Sequence, residues 1–170
     1  MIDTERCHLR RFEEKDLDAF MEYRNNALWM QYQGFKGLGK EAYCSVLLAA
    51  FNLDKGVQIA IIHKAEQRLI GDLYMKQDGN ELWIGYTIHP MMAGQGYAYE
   101  AVNGMLAWIR KQGFRRVRAL TLPQNLASIQ LLKKLKFGFE GTNDAGEELY
   151  ALDLSRATDG GAQPEAGASL

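Results

Sequence analysis

Apolar residues recur at different periods along this chain, and each change of period marks an element. Residues 7–12 alternate weakly, as an edge strand does. Asp16-Leu17-Asp18 then supplies capping and first-turn acids for a helix reaching about Asn25, with Ala19, Phe20 and Tyr23 inward. Residues 29–39 are irregular, aromatic and rich in glycine. The spacing predicts a second helix over 40–52, burying Val46, Leu47, Ala50 and Phe51. Three strand-like runs follow at 57–63, 69–76 and 82–88, separated by Lys64-Ala65-Glu66-Gln67 and Gln77-Asp78-Gly79-Asn80. Links this short favour an antiparallel meander.

The period then becomes helical. Over 97–112, Ala98, Ala101, Val102, Met105, Leu106 and Ile109 fall on one face, and Gly113 suits the stop. A strand at 117–122 completes a strand–helix–strand crossover, which sets two strands parallel. Asn125 opens a helix over about 126–135. Strands at 137–142 and 148–154 close the pattern around Asn143-Asp144-Ala145-Gly146. The pattern is α/β (α+β), a mixed, mostly antiparallel sheet flanked by helices in one domain over 1–155. Residues 156–170 hold Gly, Ala, Pro and Ser with no large hydrophobe before Leu170, and are expected to be disordered.

Composition narrows the function. A net charge of −1 leaves no electrostatic footprint for nucleic acid or an anionic membrane. No apolar run approaches the roughly 20 residues that span a bilayer, and the first residues lack a secretory apolar region. The expected location is the cytoplasm. Cys7 and Cys44 form no disulfide framework, and adjacent Cys7 and His8 are poorly placed to share one ion. No metal is expected.

The chemistry gathers in I-G-Y-T-I-H-P-M-M-A-G-Q-G-Y-A-Y-E-A, residues 84–101, where a strand ends, Gly94 and Gly96 flank Gln95, and a helix begins. A helix N-terminus presents unpaired N–H groups, and glycine lets a bulky anion approach them. A nearly neutral chain can therefore hold a diphosphate. No Gly-Lys-Ser/Thr triplet is present, and Tyr99 stands where a dinucleotide fingerprint wants its third glycine. In N-L-A-S-I-Q-L-L-K-K-L-K-F-G-F-E-G, residues 125–141, Asn125 either caps the helix or bonds a ligand beside it. Ser128 shares a face with Leu131, Leu132 and Leu135, so it points inward, toward a backbone carbonyl or toward a site.

The order I-G-Y-x-I-x-P, G-Q-G-Y-A-Y-E-A, L-P-x-N-x-A-S and K-L-K-F-x-F-E-G resembles the GNAT acetyltransferase superfamily over residues 6–154. It looks closest to the branch of ribosomal-protein N-terminal acetyltransferases. The resemblance implies a V-shaped sheet and acetyl-CoA as co-substrate, with the pantetheine arm where strands 82–88 and 117–122 splay. It implies backbone pairing of that arm near Thr87 and Ile88, a diphosphate held by Gly94, Gln95, Gly96, Tyr97 and Ala98, and a cofactor contact from Asn125. Two positions depart from the branch. Met91 replaces a frequent Gln or Arg, and Lys136 replaces a frequent glycine, which implies a left-handed residue after the helix.

The implied reaction is direct attack of a primary amine on the thioester. The amine belongs to a peptide or protein N-terminus or to a small molecule. The Ile88 amide is expected to support the oxyanion. The resemblance assigns Ser128 as donor to the departing sulfur. Glu81 is either a base acting through water or an exposed strand-start carboxylate. Trp29, Tyr32 and Phe35 either line the acceptor groove or pack under the sheet. Glu147 and Glu148 either attract a cation or form a solvated turn. An aminoglycoside-type enzyme and a non-catalytic acyl-CoA-binding module are the alternatives, and the chain is expected to be a monomer or homodimer.

Overall fold

A computed structural model describes residues 2–154; the tail expected over 156–170 lies outside the described residues. The chain runs β1 (Ile2–Asp3), β2 (Cys7–Arg11), α1 (Leu17–Arg24), α2 (Lys40–Leu47), β3 (Val57–His63), β4 (Arg68–Asp78) and β5 (Glu81–Ile88). It continues through α3 (Tyr97–Lys111), β6 (Arg116–Thr121), α4 (Leu126–Lys134), β7 (Gly138–Thr142) and β8 (Glu148–Asp153). All eight strands form one sheet in the order β1-β2-β3-β4-β5-β6-β8-β7. β3, β4 and β5 are the antiparallel meander that their short links imply. α3 carries the chain across to β6, which lies parallel to β5.

Alternation along the strands gives the sheet two apolar faces. Ile61, Leu73, Ile84 and Val117 pack beneath Ala101, Val102, Met105 and Ile109 of α3. Burying each large aliphatic side chain there is worth about 1.5–3 kcal/mol. On the other face Ala60, Ile62 and Leu69 meet Phe20, Tyr23, Tyr43 and Leu47 of α1 and α2. Phe20 is the hub, with edge-on rings of Phe12 at 5.2 Å and Tyr43 at 5.1 Å.

Two local readings change and one is met. The strand expected at an edge, β2, is flanked by the two-residue β1. The second helix ends at Leu47 instead of near 52, and Tyr43 with Leu47 forms its inner face. Val46 and Phe51 are 48% and 44% exposed, and Ala50 is exposed. The chain leaves the helix at Leu48, and the Ala49 carbonyl is taken by the Arg11 guanidinium instead of by a next-turn amide. Lys136 adopts the left-handed conformation implied for it, with φ +70°. It ends α4 in a Schellman motif: Phe137 N–H donates to Leu132 O and Lys136 N–H to Lys133 O, both at 3.0 Å.

Candidate active site

β5 and β6 pair only through Glu81, Leu82 and Trp83 with Arg116, Val117 and Arg118. Beyond these residues β5 stays with β4 as far as Ile88, and β6 stays with β8 as far as Thr121. The sheet therefore forks, and a cavity of about 370 Å³ fills the fork. A second cavity, about 160 Å³, lies among apolar side chains of β2, β4 and α3.

The fork leaves one edge of β5 free of a strand partner. An added Cβ on Gly71 of β4 would lie 2.4 Å from Thr87 O, so that carbonyl faces β4. Tyr86 and Ile88, one residue to either side, turn theirs the other way. Ile88 O accepts from Trp29 Nε1 at 2.9 Å, and Tyr86 O is 3.5 Å from Gln33 Nε2. N–H and C=O of one strand residue share a side, so Tyr86 and Ile88 present the open edge. Backbone pairing at Thr87, expected from the resemblance, is thereby corrected: its peptide groups belong to the β4 ladder.

The mouth of α3 opens on the same cavity. Gly94 and Gly96 have φ +74° and +84°, conformations that L side chains rarely adopt. Gly96 is the N-cap and supplies no side-chain bond, and an added Cβ on Gly94 would meet nothing within 4 Å. Gly94, Tyr97 and Ala98 line the cavity, whereas Gln95 folds back so that its Nε2 donates to Met91 O at 3.1 Å. Arg6 guards the flank: its guanidinium lies 4.1 Å above the Tyr97 ring, and Nη1 donates to Gln95 O at 3.0 Å. Glu100 holds Arg6 through both the backbone N–H and Nε, each at 2.6 Å.

Across the fork stands the first turn of α4. Asn125 caps it, accepting from Ser128 N–H at 3.2 Å, and also lines the cavity. Ser128 turns inward as its spacing implies, with Oγ 2.8 Å from the Tyr86 hydroxyl. Burial pushes the Tyr86 phenol up to about 12, and the Ser128 bond offsets part of that rise. The phenol is therefore protonated and able to donate at neutral pH. Neither Tyr86 nor Arg6 was singled out by spacing. Tyr86 does alternate with Ile84 and Ile88, which places it on the helix-covered face.

Trp29 and Tyr32 line the cavity, but Phe35 does not. Phe35 packs under the sheet, its ring 5.2 Å from Tyr43 and 6.1 Å from Phe20. Its carbonyl accepts from Arg24 Nη1 at 3.1 Å, and Arg24 is itself bound to buried Asp72. Glu81 is not brought to the fork. It begins β5, seven residues or roughly 23 Å from Ile88, and its carboxylate lies 2.9 Å from Arg118 Nε. The carboxylate is half-buried between Arg118 and, at 3.7 Å, Arg116, so it is not a freely exposed strand-start group either. Glu147, by contrast, reaches the wall, and is the one Asp or Glu among its described residues.

An unpaired strand edge, an open helix mouth and an inward serine in one forked sheet are the features of an acyl-carrier cleft. Residues 6–138 match the family described as acetyltransferase (GNAT) domain, and the chain belongs to that family. A curated relative, the uncharacterized N-acetyltransferase YnaD of Bacillus subtilis, is 29% identical over 143 residues, 82% of this chain and 84% of its own. An acetyltransferase of the GNAT family from Bacillus anthracis has the same fold: TM-score 0.80 at 24% identity, covering 89% of this chain and 97% of that one. RimL, a ribosomal L7/L12 α-N-protein acetyltransferase solved with coenzyme A, gives 0.78 at 18% identity, covering 88% and 95%. Among the described residues no helix is long and apolar enough to cross a membrane, and no cluster of His, Cys, Asp or Glu is suited to a metal.

Proposed function

We propose that this chain transfers the acetyl group of acetyl-CoA to a primary amine at the fork between β5 and β6. One observation carries the reading: the open edge of β5, the mouth of α3 and Ser128 all face a single cavity. The residues fit the carrier, since the α3 mouth is capped by glycine alone and Gly94 leaves its approach clear. The first-turn amides at Tyr97 and Ala98 would hold the diphosphate, and the outward backbone groups of Tyr86 would hold the pantetheine arm, which leaves the Ile88 N–H for the reacting carbonyl. When bound, the thioester supplies the acetyl group and a thiolate leaving group.

Two of the remaining tasks fall to groups in the chain. The Ile88 N–H supports the negative charge that builds on the carbonyl oxygen. Ser128 Oγ–H donates to the leaving sulfur, and Tyr86, donating to Ser128 Oγ, keeps that hydroxyl supplied with a proton. An α-amine with a pKa of about 8 is partly neutral at physiological pH and needs no strong base; the proton it sheds after attack passes to solvent at the cavity mouth, and the one Ser128 gives to sulfur is regained from solvent.

The acceptor side is formed by Trp29, Tyr32 and Glu147. A carboxylate beside the reacting amine would raise its pKa and slow attack. Glu147 therefore suits a second, non-reacting cation on the acceptor. A single carboxylate favours a diamine or a basic peptide N-terminus over a polycationic aminoglycoside. Thiol release should be followed with peptide N-termini, diamines and aminoglycosides, and mass spectrometry should locate the acetyl group. Coenzyme A binding without thiol release from any amine would leave a carrier-binding module in place of an enzyme.

A further inference from the structure

Two threonine hydroxyls are buried at the fork without a hydrogen-bond partner, Thr87 Oγ1 near the end of β5 and Thr121 Oγ1 at the end of β6. The residues are 7% and 5% exposed, and both line the cavity. A buried hydroxyl gives up its bonds to water and normally finds a replacement within the protein. Two orphans on the two lips of one cavity point to ligand groups that complete them.

The two hydroxyls face opposite sides of the sheet. Thr87 stands directly across from Asp72 in the β4–β5 ladder. Residues so paired share a face, and Asp72 accepts from Tyr23 and Arg24 of α1. Thr87 thus faces the α1 side of the fork. Thr121 alternates with Ala119 and Val117 along β6, and those two lie in the core beneath α3 and α4. Thr121 accordingly faces the side on which Tyr86 meets Ser128.

We infer that these hydroxyls divide the two substrates between them, an inference that rests on the acetyl-transfer reading. Thr121 Oγ1 bonds an amide of the pantetheine arm on the α3–α4 side. Thr87 Oγ1 accepts an N–H of the incoming amine on the α1 side. A neutral amine attacks through its lone pair, so its N–H groups need acceptors that leave that lone pair free. Thr87 offers such an acceptor one residue before the Ile88 amide. Neither hydroxyl exchanges a proton in this role; both position.

The test uses Thr87→Val and Thr121→Val, which keep shape and remove the hydroxyl, with Thr87→Ser and Thr121→Ser restoring it. Calorimetry measures coenzyme A binding to the free enzyme. Initial rates use whichever of 1,4-diaminobutane, kanamycin and a serine-initiated hexapeptide the wild type acetylates fastest. Thr121→Val should weaken coenzyme A roughly three- to tenfold and leave the acceptor KM unchanged. Thr87→Val should raise the acceptor KM by a similar factor and leave the coenzyme A Kd unchanged. Serine should rescue each, and both valine variants should raise the Tm of the free protein by removing an unbonded buried hydroxyl. Wild-type constants in both valine variants would refute the inference, and equal shifts of Kd and KM in both would refute the division. Wild-type enzyme that binds coenzyme A but acetylates none of the three probes would remove the Thr87 half alone. Failure of the wild type to bind coenzyme A would instead remove the underlying reading.

Discussion

The Tyr86 hydroxyl stands 2.8 Å from Ser128 Oγ, joining β5 to the first turn of α4 across 42 residues of chain. The pair lies on the fork cavity, where the proposed reaction needs a proton donor at the departing sulfur. Ser128→Ala should lower kcat by roughly 10- to 100-fold, at the modest end for loss of a general acid because a thiolate leaves readily. Its coenzyme A Kd should stay within about twofold. Tyr86→Phe should cost less, since Ser128 keeps its own proton. Initial rates beside calorimetry separate these outcomes, and unchanged turnover in Ser128→Ala would remove the serine from the chemistry.

The same phenol sets an alkaline limit on stability. Burial holds Tyr86 at about 12 in the folded chain, against 10.0 ordinarily. Between these values the unfolded chain releases a proton that the folded chain keeps, so stability falls as pH rises from 10 toward 12. The contribution is fully present below pH 10 and amounts to roughly 2–3 kcal/mol. Urea unfolding at pH 8, 10 and 11 should show a shallower loss for Tyr86→Phe than for the wild type.

Gly96 caps α3 in a left-handed conformation without a side-chain bond. With φ +84°, Gly96→Val strains the backbone that presents the first-turn amides, and its Cβ would lie 3.4 Å from Arg6 Nη2. Coenzyme A affinity should drop at least about tenfold, the size of one or two lost charge-assisted bonds. Gly113 shares the conformation, with φ +87°, at the far end of the helix. Gly113→Ala should therefore lose about 1 kcal/mol of stability and bind coenzyme A normally.

Asp72 anchors α1, on the proposed acceptor side, from within the core. It is fully buried and accepts from Tyr23 Oη at 2.6 Å and from Arg24 Nε at 3.2 Å. Asp72→Ala strands the Arg24 charge and should cost about 3–5 kcal/mol, read from the urea midpoint. Arg24 also holds the Phe35 carbonyl, so any folded fraction should show a raised acceptor KM.

Lys136 carries a cost that function does not require. It lies outside the cavity wall, yet holds φ +70° as the left-handed residue of the α4 Schellman motif. Lys136→Gly should gain up to about 1 kcal/mol and leave kcat and KM unchanged. Thermal unfolding and initial rates check both halves.

Much of this molecule is visible in the chain because it is set locally. The stripe from Ala101 to Ile109 repeats every three to four residues, so α3 declares itself and its inner face. Gly94 and Gly96 are read as a clear helix mouth because their backbone angles suit glycine alone. Lys136 is read as left-handed for a related reason. The end of α2 was not readable, because a side chain of β2 takes the Ala49 carbonyl. Glu81 stays between two readings in the sequence, because alternation locates a strand without saying how far its neighbour follows it.

What tertiary structure decided is the fork. Three residue pairs join β5 to β6 and then the strands part, β5 staying with β4 and β6 with β8. That parting brings Ser128 to Tyr86, exposes the Ile88 carbonyl to Trp29 and buries two threonine hydroxyls without partners. Arg6 meets Glu100 across 94 residues by another long-range contact, between the β1–β2 link and α3. Periodicity and backbone angle are properties of a few consecutive residues and travel with the chain. Contacts between distant residues exist only once the whole sheet has closed on its helices.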